Sequence, residues 1–564
     1  MSVIRGRRLL TGLCCVGIAV VTSVLLEIYF SDEINRITSG LGISPVHVPP
    51  KSPLPGEQWS DFAPIGQDPS ADLVRVKALE KPVRAMCGAC HAYPDASLFH
   101  RDKWEFEVAI GYEFFDESSD PDIKKLIAPP FADTVGYYVV KSGGWHDIEN
   151  ATPIDSAAAQ HFLPEVVPYP SPGPIVGSVS DVNWYPPSGK QSGYFTVCDM
   201  WHGRILRVDV KDRKFHSEII HLAKHPARLR PIGAEGSEEY LVAELGSFLP
   251  ANRADAKLYK LSRIGSDSTL TRTNIWATHN RVADAAVGDL NADGNVEIAV
   301  AEFGWRTEGR VTLLTCDSVG EQWKNTTIDD RYGASDVRLH DLDDDGRLDL
   351  IVLISQEHEV IECYRNLGHL TFQRHQLFSA DNPAFGLSGL VVTDFDVDGD
   401  LDIVFTNGDM LDSGVPSVHH GVRWLRNDGE FQFSTQLIGK LPGAYRAVVG
   451  DLDGDGDLDV AASAYIPLGM KNFVSEAPTL FDLLVWFERQ ADGTFTRHSV
   501  YQSHDLGSAD IELGDFDLDG DLDIATGQTL FEPKEPSALP ERVLNRGMLT
   551  VWWNQLKSAE MNTN

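Results

Sequence analysis

Two residue patterns in this 564-residue chain have spacings that imply chemistry. The first is Cys87-Gly88-Ala89-Cys90-His91. Thiols one helical turn apart can each form a thioether bond to a porphyrin edge, and the imidazole that follows then reaches the iron from the same turn. The pattern therefore reads as attachment of one covalent haem c through Cys87 and Cys90, with His91 as proximal ligand. A CxxC pair also serves as a redox dithiol or as half of a zinc site. A dithiol wants a thioredoxin-like βαβ setting and zinc wants a second Cys or His pair at short spacing, and neither is present. No methionine occurs between His91 and Met200, so His/Met ligation is not available within this stretch. His100, His146 and Tyr112 stand as alternatives for the distal position, alongside a five-coordinate iron. His/His ligation gives a lower potential than His/Met.

The second pattern is a nine-residue acidic loop that occurs five times. Its candidate ligands are Asp289, Asn291, Asp293, Asn295 and Glu297; Asp341, Asp343, Asp345, Arg347 and Asp349; Asp394, Asp396, Asp398, Asp400 and Asp402; Asp451, Asp453, Asp455, Asp457 and Asp459; and Asp515, Asp517, Asp519, Asp521 and Asp523. Oxygens at positions 1, 3, 5 and 9, a backbone carbonyl at position 7 and glycine at position 6 for the sharp turn wrap a hard cation, and Ca2+ is the natural choice. The five loops imply about five such ions. No bidentate Glu closes a twelve-residue loop before a helix, which excludes an EF-hand. The 23 carboxylates at these sites repel one another strongly without metal. The first loop is the weakest, because Asn291 and Asn295 lower its charge.

The elements that must position these residues also follow from the sequence. Each acidic loop lies between short apolar runs, as in Leu401-Asp402-Ile403-Val404-Phe405. Each unit reads as four strands, which is one propeller blade. Two degenerate units lack the acidic loop. Aligning second strands at Val197, Ala243, Ala299, Ile351, Val404, Ala461 and Ala525 gives seven blades, stepped by 46 to 64 residues. The seventh blade lacks a fourth strand after Leu549–Trp553. Phe162–Val167 matches one in pattern, so it is predicted to close the ring and remove the exposed edge. Inner strands begin at the channel mouth, five residues before each loop, and put Asp284, Asp336, Gly389, Arg446 and Asp510 there as a polar ring able to bind a sugar or a cation.

Ahead of the repeat, Trp104, Val108, Tyr112 and Phe115 form one apolar helical stripe, and Phe131, Val135, Tyr138 and Val139 form another after Pro129 and Pro130. Three short helices from about Val74 to Lys141 are predicted, the size of a minimal cytochrome c. At the N-terminus, Arg5, Arg7 and Arg8 precede an uncharged apolar run from Leu9 to Leu26, which reads as an export signal and uncleaved anchor. The segment that follows holds Pro45, Pro49, Pro50, Pro53, Pro55, Pro64 and Pro69 and reads as an extended stalk. The organisation expected is a signal anchor at 1–30, a Pro-rich linker at 31–72, an all-α haem domain at 73–160, a mainly β seven-bladed propeller at 161–556 and a polar tail at 557–564.

From 161 to 556 the chain resembles the FG-GAP (VCBS) repeat propellers, similar to the β-propeller of integrin α subunits. The block Cys87-Gly88-Ala89-Cys90-His91-Ala92-Tyr93-Pro94 with Arg101, Trp104, Glu107, Gly111 and Tyr137-Tyr138 resembles the haem-bearing leader of bacterial FG-GAP proteins, notably those of planctomycete-like bacteria. That resemblance implies covalent haem on Cys87 and Cys90 with His91 proximal. Some relatives carry a Met near position 112, where this chain has Tyr112.

A formal charge of -35 opposes binding to nucleic acid. The expected function is a membrane-anchored electron carrier on the periplasmic or extracellular side, whose propeller docks a redox partner protein or an extracellular polysaccharide. An adhesion or carbohydrate-binding propeller with an accessory haem domain is the alternative, as is an enzyme (a dehydrogenase or lyase) using the axial pocket. No nucleophile–base pair, phosphate loop or HExxH motif is present.

Overall fold

A computed structural model describes residues 69–89, 92–99, 101–118, 121–142, 161–170, 177–189, 191–233, 237–249, 251, 254–263, 270–305, 308–316, 322–410, 417, 419–467, 480–504, 506–531 and 547–556. The described residues divide into two compact units, those of 69–86 with 99–142 and those of 87–98 with 161–556.

The helical unit has three helices, as the two apolar stripes predict: α1 (Pro69–Cys87), α2 (Trp104–Glu117) and α3 (Phe131–Lys141). Helix α1 starts inside the segment expected to be linker, since proline at a first helical position loses no hydrogen bond that a helix would use. Pro82 lies within it and deprives the turn before it of one bond. Trp104 and Tyr138 are buried and stacked, 4.0 Å between centroids, and Trp104 Nε1 donates to the Phe99 carbonyl at 3.2 Å. Arg75 ties α1 to α3 through Asp133 at 2.8 Å. Among the described residues no helix is long and apolar enough to cross a membrane, and the predicted anchor at 1–30 lies outside them.

The second unit is a seven-bladed β-propeller. Seven antiparallel sheets follow one another along the chain, with first strands Val179–Tyr185, Pro226–Pro231, Val282–Gly288, Ala334–His340, Leu387–Thr393, Ala444–Gly450 and Ile511–Gly514 in blades 1 to 7. The seventh sheet closes as expected. Phe162–Val167 pairs antiparallel with Leu549–Asn554, with Phe162 opposite Asn554 and Val167 opposite Leu549. Pro164, with no N–H to donate, sits on this outermost strand, where a ladder tolerates it.

The apolar residues of each sheet pack against the next blade rather than into one central core. Phe395, Val404 and Trp424 of blade 5 bury against Val460, Ala462 and Phe487 of blade 6, and Val167 and Val551 of blade 7 against Val179 and Phe195 of blade 1. Polar bonds stitch the same joints. Asn366 Nδ2 reaches back one blade to the Leu290 carbonyl at 2.7 Å, and Asn554 Nδ2 to that of Leu452 at 2.9 Å. Cys198, Cys316 and Cys363 are free thiols, the first and last of them buried.

Candidate functional site

Each of the five acidic loops is built alike. The glycine at position 6 has positive φ, from +84° to +103°, which an L side chain rarely adopts. The position-1 aspartate accepts the N–H of position 6, as Asp341 does from Gly346 at 2.7 Å and Asp394 from Gly399 at 3.1 Å. The position-9 acid is buried at the start of the second strand and accepts the N–H of position 2, as in Leu342 to Asp349 at 3.1 Å and Phe516 to Asp523 at 3.0 Å. Its other oxygen accepts an N–H from the end of the third strand: Asn366 for Asp349, Asn427 for Asp402, Arg489 for Asp459 and Asn554 for Asp523.

Four loops gather three carboxylates each with ligand atoms mutually within 4.8 Å: Asp341, Asp343 and Asp349; Asp394, Asp396 and Asp398; Asp451, Asp453 and Asp455; Asp515, Asp517 and Asp523. Burial, reinforced by neighbouring aspartates, pushes the carboxyls of Asp349 and Asp402 up to about 6, Asp459 to about 7 and Asp523 to about 8. Asp343 Oδ1, Asp396 Oδ1 and Asp457 Oδ1 are buried with no hydrogen-bond partner. Orphaned acceptors among crowded like charges are what a divalent cation relieves, so these residues fit a hard metal ion. The first loop does not gather Asp289, Asp293 and Glu297 in this way. There the Asn291 amide donates to Glu297 Oε1 at 3.2 Å and Asn295 Nδ2 to Asp293 at 2.9 Å, so amides do part of the neutralising.

The position-7 acids Asp400, Asp457 and Asp521 fall outside the four three-carboxylate clusters, and at Arg347 only the carbonyl can serve as a ligand. Arg347 donates to the Asn366 carbonyl at 2.7 Å and also pairs with Asp345. Guanidiniums divide the loops further. Arg365 takes Asp343 at 2.6 Å, and Arg213 takes Asp517. The loops at Asp394 and Asp451 have no such partner among the described residues.

At the other end of the first strands lies the axial ring. Asp181, Arg228, Asp284, Asp336, Gly389, Arg446 and Asp510 occupy one register position in the seven blades, and in blades 1 to 6 a β-bulge falls there. The sequence-predicted residues do converge, but their carboxylates are already neutralised. Arg228 contacts Asp181 at 3.0 Å and Asp510 at 3.2 Å; Arg230 and Arg338 hold Asp284 at 2.9 and 2.7 Å; Arg446 holds Asp336 at 2.6 Å. Burial pushes the Asp284 carboxyl up, but Arg230, Arg338 and Arg228 overcome it and hold that acid well below the carboxylate range. A cation therefore has no uncompensated charge to bind there. Two acids escape in part: burial, with Asp181 nearby, pushes Asp510 up in spite of Arg228 and Arg446, and burial, with Asp510 and Asp181 nearby, pushes Glu512 up to about 8, which keeps it protonated at neutral pH.

Asp181 and Arg228 escape notice in the sequence because blades 1 and 2 lack the acidic loop that sets the phase. Arg230 and Arg338 lie two residues past the ring position, and only the structure brings them onto it.

Of the haem motif, Cys87 is described, half-buried at the last residue of α1, while Cys90 and His91 lie outside the described residues. So do His100 and His146. The Tyr112 hydroxyl donates to the Pro129 carbonyl at 2.6 Å and lies 2.7 Å from Thr134 Oγ1, bonds it must give up to reach a metal.

The FG-GAP-like repeat family matches residues 341–405 and 410–462, which span blades 4 and 5 and enter blade 6. The chain thus carries FG-GAP-like repeats within a seven-bladed propeller. No curated protein matches it.

Proposed function

We propose that this chain is an exported, membrane-anchored carrier of one covalent haem. In this reading its calcium-binding propeller is the docking platform for a redox partner protein or an extracellular polysaccharide. The observation that carries the reading is Cys87. It stands at the final residue of helix α1, where the Cys-x-x-Cys-His motif begins, and the sequence spacing from there is the one that two thioether bonds and an axial imidazole need. A haem held there supplies one-electron transfer. Cys87 and Cys90 anchor the ring, and His91 orients it from the proximal side. The four carboxylate clusters support calcium as the ion that holds the rim loops in shape.

The test is spectroscopic. The full chain, expressed in a host competent in cytochrome maturation, is expected to show sharp c-type bands in a reduced-minus-oxidised spectrum and one haem per chain in alkaline pyridine. Cys87→Ala with Cys90→Ala is expected to be colourless. A colourless parent protein defeats the proposal.

A ligand-binding propeller is the second reading, favoured by a cavity on the propeller axis.

A further inference from the structure

The ion-paired ring does not fill the axis. Arg228 and Arg446 border a cavity of about 530 Å³, within the size range of small-molecule sites. Its walls are mostly apolar, with the aromatic rings of Phe248, Phe303, Trp305, Tyr445 and Phe531 among them, and the Ser335 hydroxyl opens onto it without a hydrogen-bond partner.

Arg281 is the residue there that the fold does not account for. It sits three positions before the ring residue of blade 3. The same position holds Ser178 and His225 in blades 1 and 2, and Gly333, Gly386, Gly443 and Gly507 in blades 4 to 7. In all seven blades this residue's carbonyl accepts an N–H from the end of the second strand, for example Phe303 to Arg281 at 2.7 Å, Ser355 to Gly333 at 2.9 Å and Tyr465 to Gly443 at 2.9 Å. The backbone contact therefore repeats whatever the side chain, and four blades make it with none.

The Arg281 side chain lines the cavity, is only 9% exposed and has no carboxylate partner among the described residues. Nη2 donates to the Phe248 carbonyl at 3.1 Å, the guanidinium lies 5.6 Å from the centre of the Phe303 ring, and Nε has no partner. Burial pushes it down to about 10, opposed only by the Tyr445 phenol. Asp409, which also lines the cavity, acts on Tyr445 instead. Every ring arginine has an acid; Arg281 does not. A buried guanidinium without a counter-charge is costly, and an incoming anion recovers that cost.

We propose that the axial cavity is a binding site for a small aromatic carboxylic acid, its carboxylate paired with Arg281 and its ring among the aromatic walls. The inference stands apart from the haem, since every residue it uses lies in the propeller.

The test is calorimetric titration of the full chain with 2-naphthoate and with 2-naphthamide, which keeps the shape and loses the charge. Saturable one-site binding of the acid is expected, with the amide about tenfold weaker or worse. Arg281→Gln is expected to lose the same factor for the acid, and Arg281→Lys to lose less. The acid–amide comparison uses the unaltered protein, so it decides the matter even if a variant fails to fold. No saturable binding of naphthoate, equal affinity for acid and amide, or undiminished affinity in Arg281→Gln overturns the proposal. Galacturonate binding more tightly than naphthoate overturns the aromatic class.

Discussion

The same inner strand carries aspartates to two places with opposite electrostatics. In blade 4, Asp336 faces the axis and Asp341 opens the rim loop, five residues apart in one chain segment. On the axis, Asp181, Asp284, Asp336 and Asp510 meet Arg228, Arg230, Arg338 and Arg446, and the charges cancel within the protein. At the rim, three acids crowd within 4.8 Å in each of four loops, and in two of those loops no arginine forms an ion pair with them among the described residues; Arg489 and Arg426 act on Asp396, and Arg489 on Asp457, only from a distance. The acid of Asp284 is accordingly displaced downwards and that of Asp459 upwards, to about 7. Burial penalises both; what differs is whether the chain supplies the counter-charge. The ring of ion pairs is complete as translated, whereas the rim calls for a cation from outside.

Removing that cation is expected to have the largest effect. A site filled at 100 times its dissociation constant adds about 2.7 kcal/mol, so four filled loops dominate the stability. Chelation should lower the melting temperature, measured by calorimetry, and the loss should grow with pH. Unfolded aspartates ionise near 4, whereas Asp349, Asp402, Asp459 and Asp523 in the metal-free fold hold protons up to about 6, 6, 7 and 8. Between those limits the folded state binds more protons than the unfolded one. The contribution of these four acids to metal-free stability is therefore fully present below about pH 4 and is lost as pH rises through 6 to 8. Calcium, by holding the carboxylates ionised, should flatten this slope. An unchanged melt on chelation reduces the loops to acidic turns and dissolves the contrast.

The axis should respond to mutation rather than to chelator. Asp284→Asn removes the buried acid that the half-buried Arg230 and Arg338 share, leaving them Asp181 and Asp336 alone. It is expected to cost about 3–5 kcal/mol in denaturant unfolding, equally with and without calcium. A calcium-dependent loss would tie the two regions together.

The smallest expected effect lies in the loop where the two electrostatic modes mix. Arg365→Met frees Asp343 from a partly exposed ion pair worth up to about 1 kcal/mol, so calcium should bind the Asp341 loop up to about fivefold more tightly. Weaker binding there means Arg365 shapes the loop instead of competing for it.

Periodicity made the rim legible before the structure and left the axis half-hidden. The acidic loops fix the phase of blades 3 to 7, where Ala299, Ile351, Val404, Ala461 and Ala525 all face the residue two past the ring position. Without that marker the phase slips. Val197 faces Val182 and Ala243 faces Arg228, one and two positions off, which is why Asp181 and Arg228 were not placed on the ring. Apart from Arg338–Asp336, the ring's ion pairs join residues 47 to 282 apart, and no local pattern encodes such distances. Arg281 was invisible for a different reason: its interest is the partner it lacks, which only packing reveals. Ring closure was legible because one blade was a strand short and one spare strand matched it.

That closure bears on synthesis. Phe162–Val167 emerges from the ribosome long before Leu549–Asn554, and the bond from Trp553 Nε1 to Glu165 spans 388 residues. Until the last strand arrives, the final sheet holds only Ile511–Gly514 and Asp523–Gly527 with a bare hydrogen-bonding edge. Contacts this remote in sequence form late and slowly. A prematurely terminated product is thus left open and prone to sticking to its neighbours, so the fold inspects its own transcript for completeness before it seals.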